Sequence, residues 1–178
     1  MNSNNALPKI RPFDGHDWFS TKTYRRNLPH WELKGSTYFI TLRVSEEVGQ
    51  PFINQELANI IVQFLSRDAG KKYLLQAYVV MPDHLHLILK PIQGCSLAEI
   101  MKAIKGGAAY ELNKKLGRKG RFWQIENFDH LIRNAQDLSE KWDYVKDNPV
   151  KARLVKLAED YPFSSFYCGL KPAKTNSG

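Results

Sequence analysis

The arrangement with the most chemical potential in this 178-residue chain is His84-Leu85-His86. On a β-strand alternate side chains share a face, so His84 and His86 project together while Leu85, Leu87 and Leu89 project the other way. Two imidazoles about 7 Å apart along a strand can converge on one cation if a third donor completes the set. The leucine face would seat the strand in a core and hold such ligands rigid. The same spacing also arises on a solvent-facing strand whose histidines hydrogen-bond to neighbours. Spacing alone leaves both readings open.

A second cluster lies between Asp137 and Asn148. Leu138, Trp142 and Val145 recur at intervals of four and three and form the expected buried stripe of a helix. Lys141, Tyr144 and Asn148 form another stripe, displaced by about a quarter turn. Tyr144 is therefore expected beside the core, where its phenol can act as a nucleophile at a cleft edge. Asn148, one turn later, offers a carbonyl oxygen, a hard donor suited to Mg²⁺ or Mn²⁺. A boundary tyrosine and an asparagine that ends a helix before Pro149 account for the same pattern. His130, in FDHLIRN, is a candidate third ligand or acid–base group, with a structural role the preferred reading.

Positioning these groups requires a sheet and helices, and both are legible. Residues 37–44, TYFITLRV, read as a strand with Tyr38, Ile40, Leu42 and Val44 on one face. Residues 55–68 carry Leu57, Ile60, Ile61, Phe64 and Leu65 on a helical stripe behind an Asn54 cap. Residues 73–80 and 84–90 form two strands joined by Met81-Pro82-Asp83, short enough for a hairpin. Ser96 and Glu99 make a capping box ahead of Leu97, Ile100, Met101 and Ile104; that helix is expected to break at Gly106-Gly107 and resume towards Gly117. FDHLIRN (128–134) reads as a short strand, and 137–147 as a helix stopped by Pro149. The order β-α-β-β-α-β-α implies an α+β domain with an antiparallel sheet and packed helices.

Residues 1–34 read as a basic arm containing Arg25 and Arg26, 35–167 as the folded domain, and 168–178 as a tail. The chain is 43% hydrophobic and 25% charged, with a net charge of +8. Surplus Lys and Arg favours polyanions, because each phosphate neutralised releases condensed counterions. Lys102, Lys105, Arg118, Lys119 and Arg121, with Arg25 and Arg26, are the expected contacts to the backbone of such a polyanion. Trp123 is a candidate stacking platform, with a place in the core the preferred reading for such a residue. Cys95 and Cys168 are too few and too widely spaced for a disulfide framework. With no run of about 18 apolar residues and no signal-peptide core, the expected location is the cytoplasm.

YVVMPDHLHLILKP (78–91) closely resembles the ligand strand of the HUH-type single-strand DNA transposases. RFWQIENFDHLIRN (121–134), WDYVKDNPVKARLV (142–155) and YPFSSF (161–166) resemble the REP-associated tyrosine transposase branch of that family. NLPHWELKGSTYFITLRV (27–44) and the Lys105-Gly106 region fit its earlier segments. The resemblance covers roughly residues 24–167. It implies a ferredoxin-like sheet with flanking helices, a divalent ion on His84, His86 and Asn148, and Tyr144 as nucleophile. It further implies single-stranded or hairpin DNA as substrate, cleaved through a 5′-phosphotyrosine, and a homodimer as assembly. Asp83 stands where family members commonly carry Asn, and a carboxylate there can orient a histidine. Two competing functions are a non-catalytic hairpin-binding regulator and a metal-dependent nuclease that uses water.

Overall fold

The computed structural model describes residues 35–125 and 128–168, which all fall within the compact unit Glu32–Gly178. Arg25 and Arg26 lie outside the described residues. Four strands and three helices are present among those described: β1 (Thr37–Arg43), α1 (Gln55–Arg67), β2 (Tyr73–Val80), β3 (His84–Pro91), α2 (Leu97–Lys115), β4 (Phe128–Ile132) and α3 (Ala135–Lys151). The strands form one antiparallel sheet in the order β2-β3-β1-β4. The antiparallel sheet with packed helices is what the order of elements implies, and its strand order is the ferredoxin-like one that the resemblance implies. β4 ends two residues earlier than its sequence pattern suggests.

Side-chain alternation divides the sheet. Leu85, Leu87 and Leu89 of β3 oppose Leu42, Ile40 and Tyr38 of β1 and are fully buried. That face meets α1: Tyr73, the register partner of Pro91, donates its hydroxyl to the Leu65 carbonyl at 2.7 Å. The opposite face carries His84, His86 and Ile88 beside Arg43, Thr41 and Phe39, and α3 lies against it. Both histidines thus fall on one face with leucines behind them. Alternation dictates that division.

The helix starts follow their caps. Asn54 Oδ1 accepts the Glu56 amide at 2.8 Å, and Ser96 Oγ accepts the Glu99 amide at 3.2 Å within a reciprocal capping box. α2, however, runs unbroken through Gly106-Gly107. A Cβ at Gly107 would lie 2.4 Å from Phe64 Cε1, so this glycine lets α1 and α2 approach closely rather than ending a helix. α3 likewise passes through Pro149 to Lys151. Proline there removes one donor in the last turns while its ring is buried. Arg153 makes the actual stop, at φ 57, with its amide on the Val150 carbonyl and the Leu154 amide on Pro149, both at 2.9 Å. That is a Schellman closure built on a non-glycine residue. Trp142 also departs from expectation. It is 37% exposed and stacks edge-on against Phe166 instead of entering the core.

Phe166 belongs to a segment that covers the outer edge of β2. The Val80 amide bonds Phe163 O at 2.8 Å, the Ser165 amide bonds Tyr78 O at 3.0 Å, and the Tyr161 hydroxyl bonds Val80 O at 2.7 Å. YPFSSF therefore satisfies backbone groups that an open edge would expose.

Candidate active site

His84 and His86 are 5% and 2% exposed, with ring centroids 4.8 Å apart and planes at 74°. The Asp83 carboxylate oxygen lies 2.5 Å from His84 Nδ1. A carboxylate can only accept, so Nδ1 carries a proton, and in the neutral ring this leaves the lone pair on Nε2. Burial raises the Asp83 carboxyl, but the His84 hydrogen bond and the charges of His84 and Arg43 outweigh it and hold it below its ordinary value. His86 is anchored too: its Nδ1 lies 2.8 Å from the Oγ1 of Thr41, its register partner on β1, a hydroxyl that can donate or accept. Burial, with the charges of His84 and Arg43, pushes the His86 imidazole well below its usual pKa. It is neutral, as a ligand must be.

His86 Nε2 is buried with no hydrogen-bond partner among the described residues. An orphaned imidazole nitrogen is costly unless something occupies it. Together with a carboxylate-oriented His84, it fits a divalent-ion site whose ligands are fixed by groups behind them. Among the described residues no group of three or more His, Cys, Asp and Glu is arranged to hold a metal. Among the described residues, a third protein donor would be of another type, such as an amide oxygen.

α3 brings Tyr144 to this spot. Its ring centroid lies 5.0 Å from that of His86, at 74°. Burial raises the phenol above its ordinary value of 10.0, opposed by a hydrogen bond to Asn148 and by the charge of Arg43. Asn148 therefore touches the phenolic oxygen, and the two residues share the stripe predicted for them. Lys151 Nζ sits 5.7 Å from the centre of the Tyr144 ring, and Lys141 Nζ 5.6 Å from that of Phe39. Lys141 thus lies over Phe39, one turn short of the phenol.

Phe39 joins the two halves. It stacks on His86 at 5.4 Å and 18°, and meets Tyr144 edge-on at 5.8 Å and 85°. Phe39, Thr41 and Arg43 went unremarked in the sequence. Their signal is the alternation opposite Tyr38, Ile40 and Leu42, which becomes meaningful only when β1 is known to pair with β3.

Residues 40–148 match the family described as Transposase IS200 like. The chain belongs to this family. Among its curated relatives, the REP-associated tyrosine transposase of Escherichia coli is 31% identical over 81% of this chain and 82% of its own. A protein of Haemophilus influenzae described as a putative REP-associated tyrosine transposase is 28% identical over 83% and 87%. A solved REP-associated tyrosine transposase bound to a REP hairpin superposes with a TM-score of 0.62 at 29% identity, over 85% of this chain and 89% of that one. The HUH-type resemblance and the α+β fold hold on these grounds.

The other candidate residues of this transposase chain make contacts of their own. His130 Nε2 bonds both Asp137 carboxylate oxygens, at 2.8 and 3.0 Å, and ties β4 to the first turn of α3. Burial raises Asp137, yet hydrogen bonds from His130 and the Arg133 amide, with the charges of His130 and Lys141, hold it below its ordinary value. Lys102, Lys119 and Arg121 are exposed, and Lys105 is half-buried with its ammonium depressed by that burial. Arg118 bonds Asn113 Oδ1 at 3.0 Å and the Arg121 carbonyl at 3.1 Å, bracing the 117–121 loop. Trp123 requires correction. It is 5% exposed, packs on Phe52 and Phe122, and donates its indole N–H to Lys105 O at 3.0 Å. A ring so enclosed is core, with no face open for a base to stack on.

Proposed function

We propose that the chain cleaves and rejoins single-stranded DNA at hairpin repeats, with Tyr144 as the nucleophile and a 5′-phosphotyrosine as the intermediate. One observation carries this: the Tyr144 phenol, bonded to Asn148, lies against a buried histidine whose Nε2 is unpartnered among the described residues. Family membership makes strand transfer the relevant chemistry, and the likeness to a hairpin-bound relative supports a hairpin substrate.

His84, His86 and the Asn148 carbonyl would hold a Mg²⁺ or Mn²⁺ ion. When bound, such an ion supplies Lewis-acid stabilisation of charge on the scissile phosphate. Tyr144 Oη forms a bond to phosphorus as the bond from phosphorus to the 3′-oxygen breaks; the phenolic proton ends on that oxygen, giving a free 3′-hydroxyl. The covalent link conserves the phosphodiester energy, so another 3′-hydroxyl can reverse the step and join strands without a nucleotide cofactor. Asp83 holds a proton on His84 Nδ1, Thr41 anchors the His86 ring, and Phe39 packs between His86 and Tyr144. Lys102, Lys105, Lys119 and Arg121 supply backbone contacts along α2 and its following loop, with Arg25 and Arg26 added from the amino-terminal arm.

Incubation with Mn²⁺ and a hairpin-bearing oligonucleotide labelled at either end tests the reading on denaturing gels. A protein-bound label on the fragment downstream of the cut, with an upstream fragment ending in 3′-hydroxyl, is expected. Downstream fragments released with free 5′-phosphates and no protein-linked species would instead show a water-using nuclease.

A further inference from the structure

α3 carries a third group on the stripe of Tyr144 and Asn148. Lys151 follows Asn148 by three residues, so it lies on the same side of the helix, about one turn further on. Helical side chains lean towards the helix N-terminus, which carries the ammonium back over the earlier turns. There Lys151 Nζ lies 5.7 Å from the centre of the Tyr144 ring. The backbone beneath it is fixed. The Ala152 amide bonds the Asn148 carbonyl at 3.0 Å, the Leu154 amide bonds that of Pro149 at 2.9 Å, and Arg153 turns the chain at φ 57. Lys151 is thus the last residue of α3, and it is exposed. Other lysines reach carboxylates: Lys72 Nζ lies 3.4 Å from Asp68 and Lys146 Nζ 3.5 Å from Glu159. Lys151 instead covers the candidate nucleophile. A lysine in this position also complements the helix dipole, but that role does not require its ammonium to lie over a tyrosine. The Tyr144 hydroxyl is bonded to Asn148, so the ammonium is placed for an anion arriving at the phenol rather than for the phenolic proton. Attacked phosphorus must come within about 3–3.5 Å of Oη, and a flexible four-carbon stem lets the ammonium reach an oxygen on it.

We propose that Lys151 is a catalytic residue of strand transfer, its ammonium holding a non-bridging oxygen of the scissile phosphate as Tyr144 attacks. The inference rests on the phosphotyrosine reading and adds to it a cation that the nucleophile and the ligand set do not supply. No further bond is made or broken. The phenolic proton still ends on the 3′-oxygen, and Lys151 keeps its own protons while offsetting charge on the equatorial oxygens. The same contact holds the negative charge of the 5′-phosphotyrosine until a second 3′-hydroxyl attacks it.

The test compares wild-type, Lys151→Gln, Lys151→Arg and Lys146→Gln chains in single-turnover cleavage of a hairpin oligonucleotide with Mn²⁺. Thermal unfolding and hairpin affinity are measured alongside. Lys151→Gln should slow adduct formation about 10- to 100-fold at saturating DNA, the loss of one hydrogen bond to a charged group. Its melting temperature should be close to that of wild type and its hairpin affinity within threefold. Lys151→Arg should recover part of the rate. Lys146→Gln, which removes the same charge from the same helix, should stay within threefold. Lys151→Cys alkylated with 2-bromoethylamine regains an ammonium of similar reach and should recover most of the rate. Alkylation with iodoacetamide leaves a neutral side chain and should not. Wild-type chain carried through both alkylations accounts for the free thiols of Cys95 and Cys168. Adduct rates within threefold of wild type in Lys151→Gln overturn the inference while leaving the Tyr144 assignment intact. So does an equal deficit in Lys146→Gln, or one that the aminoethyl side chain fails to relieve. Absence of any adduct from the wild-type chain overturns the phosphotyrosine reading, and this inference with it.

Discussion

Phe39→Leu probes the joint between sheet and helix. The ring touches three aromatic neighbours, His86 at 5.4 Å, Tyr144 at 5.8 Å and Phe128 at 6.4 Å, while only 3% exposed. Aromatic pairs add about 0.5–1.5 kcal/mol each beyond area burial. Leucine keeps most of the apolar area but none of these ring contacts. Neighbours partly relax, so the expected destabilisation is about 1.5–3 kcal/mol. A flat wall between His86 and Tyr144 is lost as well, and misplacement by a fraction of an ångström is expensive in a near-attack geometry. Chemical denaturation should therefore show the stability loss, and single-turnover adduct formation under conditions where the variant is fully folded should fall by about tenfold. A normal adduct rate in a variant destabilised as predicted would refute the positioning role. A stability loss below about 0.5 kcal/mol would refute the packing argument itself.

Three further outcomes follow from the geometry. Asp137 is held below its ordinary carboxyl value, so its contribution is present above the unfolded pKa and lost as pH falls through the folded one; between pH 7 and 3 the melting temperature of wild type should drop more than that of Asp137→Asn. Gly107→Ala gains about 1 kcal/mol of helix propensity but drives a methyl into Phe64, at a typical cost of about 1–3 kcal/mol; denaturation should show a net loss there, against a gain in Gly106→Ala, where nothing lies within 4 Å. His84→Gln should abolish Mn²⁺-dependent cleavage, whereas His130→Gln, which breaks only the tie to Asp137, should retain most of it; equal losses would make His130 part of the chemistry.

The parts of this fold that the sequence made legible are those written in local periodicity and caps. Alternation put His84 and His86 on one face and their leucines on the other, and Asn54 and Ser96 marked where helices begin. Two helix interiors look like ends in the sequence, one for a tertiary reason and one because the stop is a local closure on a non-glycine residue. Gly107 resembles a breaker until Phe64 is placed against it, and Pro149 resembles a stop although Arg153 provides one four residues later. Trp142 fits a buried stripe by spacing, yet its partner is Phe166, far along the chain. Trp123 follows a basic loop and so suggests a nucleic-acid platform; its enclosure by Phe52 and Phe122 is set by strand pairing and packing that periodicity does not reveal. Within the site, the histidine pair and the tyrosine stripe are legible in the sequence, whereas Phe39, Thr41 and Arg43 depend on which strand lies beside β3.

The strictest test is chemical localisation of the DNA link. Wild-type chain should be reacted with Mn²⁺ and the hairpin oligonucleotide, trapped, digested with trypsin and nuclease, and mapped by mass spectrometry alongside Tyr144→Phe. A nucleotide remnant on Tyr144 in the wild-type peptide, and no adduct in the variant whose hairpin affinity is unchanged, is the predicted result. A remnant on any other residue, or an adduct that survives in Tyr144→Phe, would contradict the proposal that this phenol works beside the histidine pair.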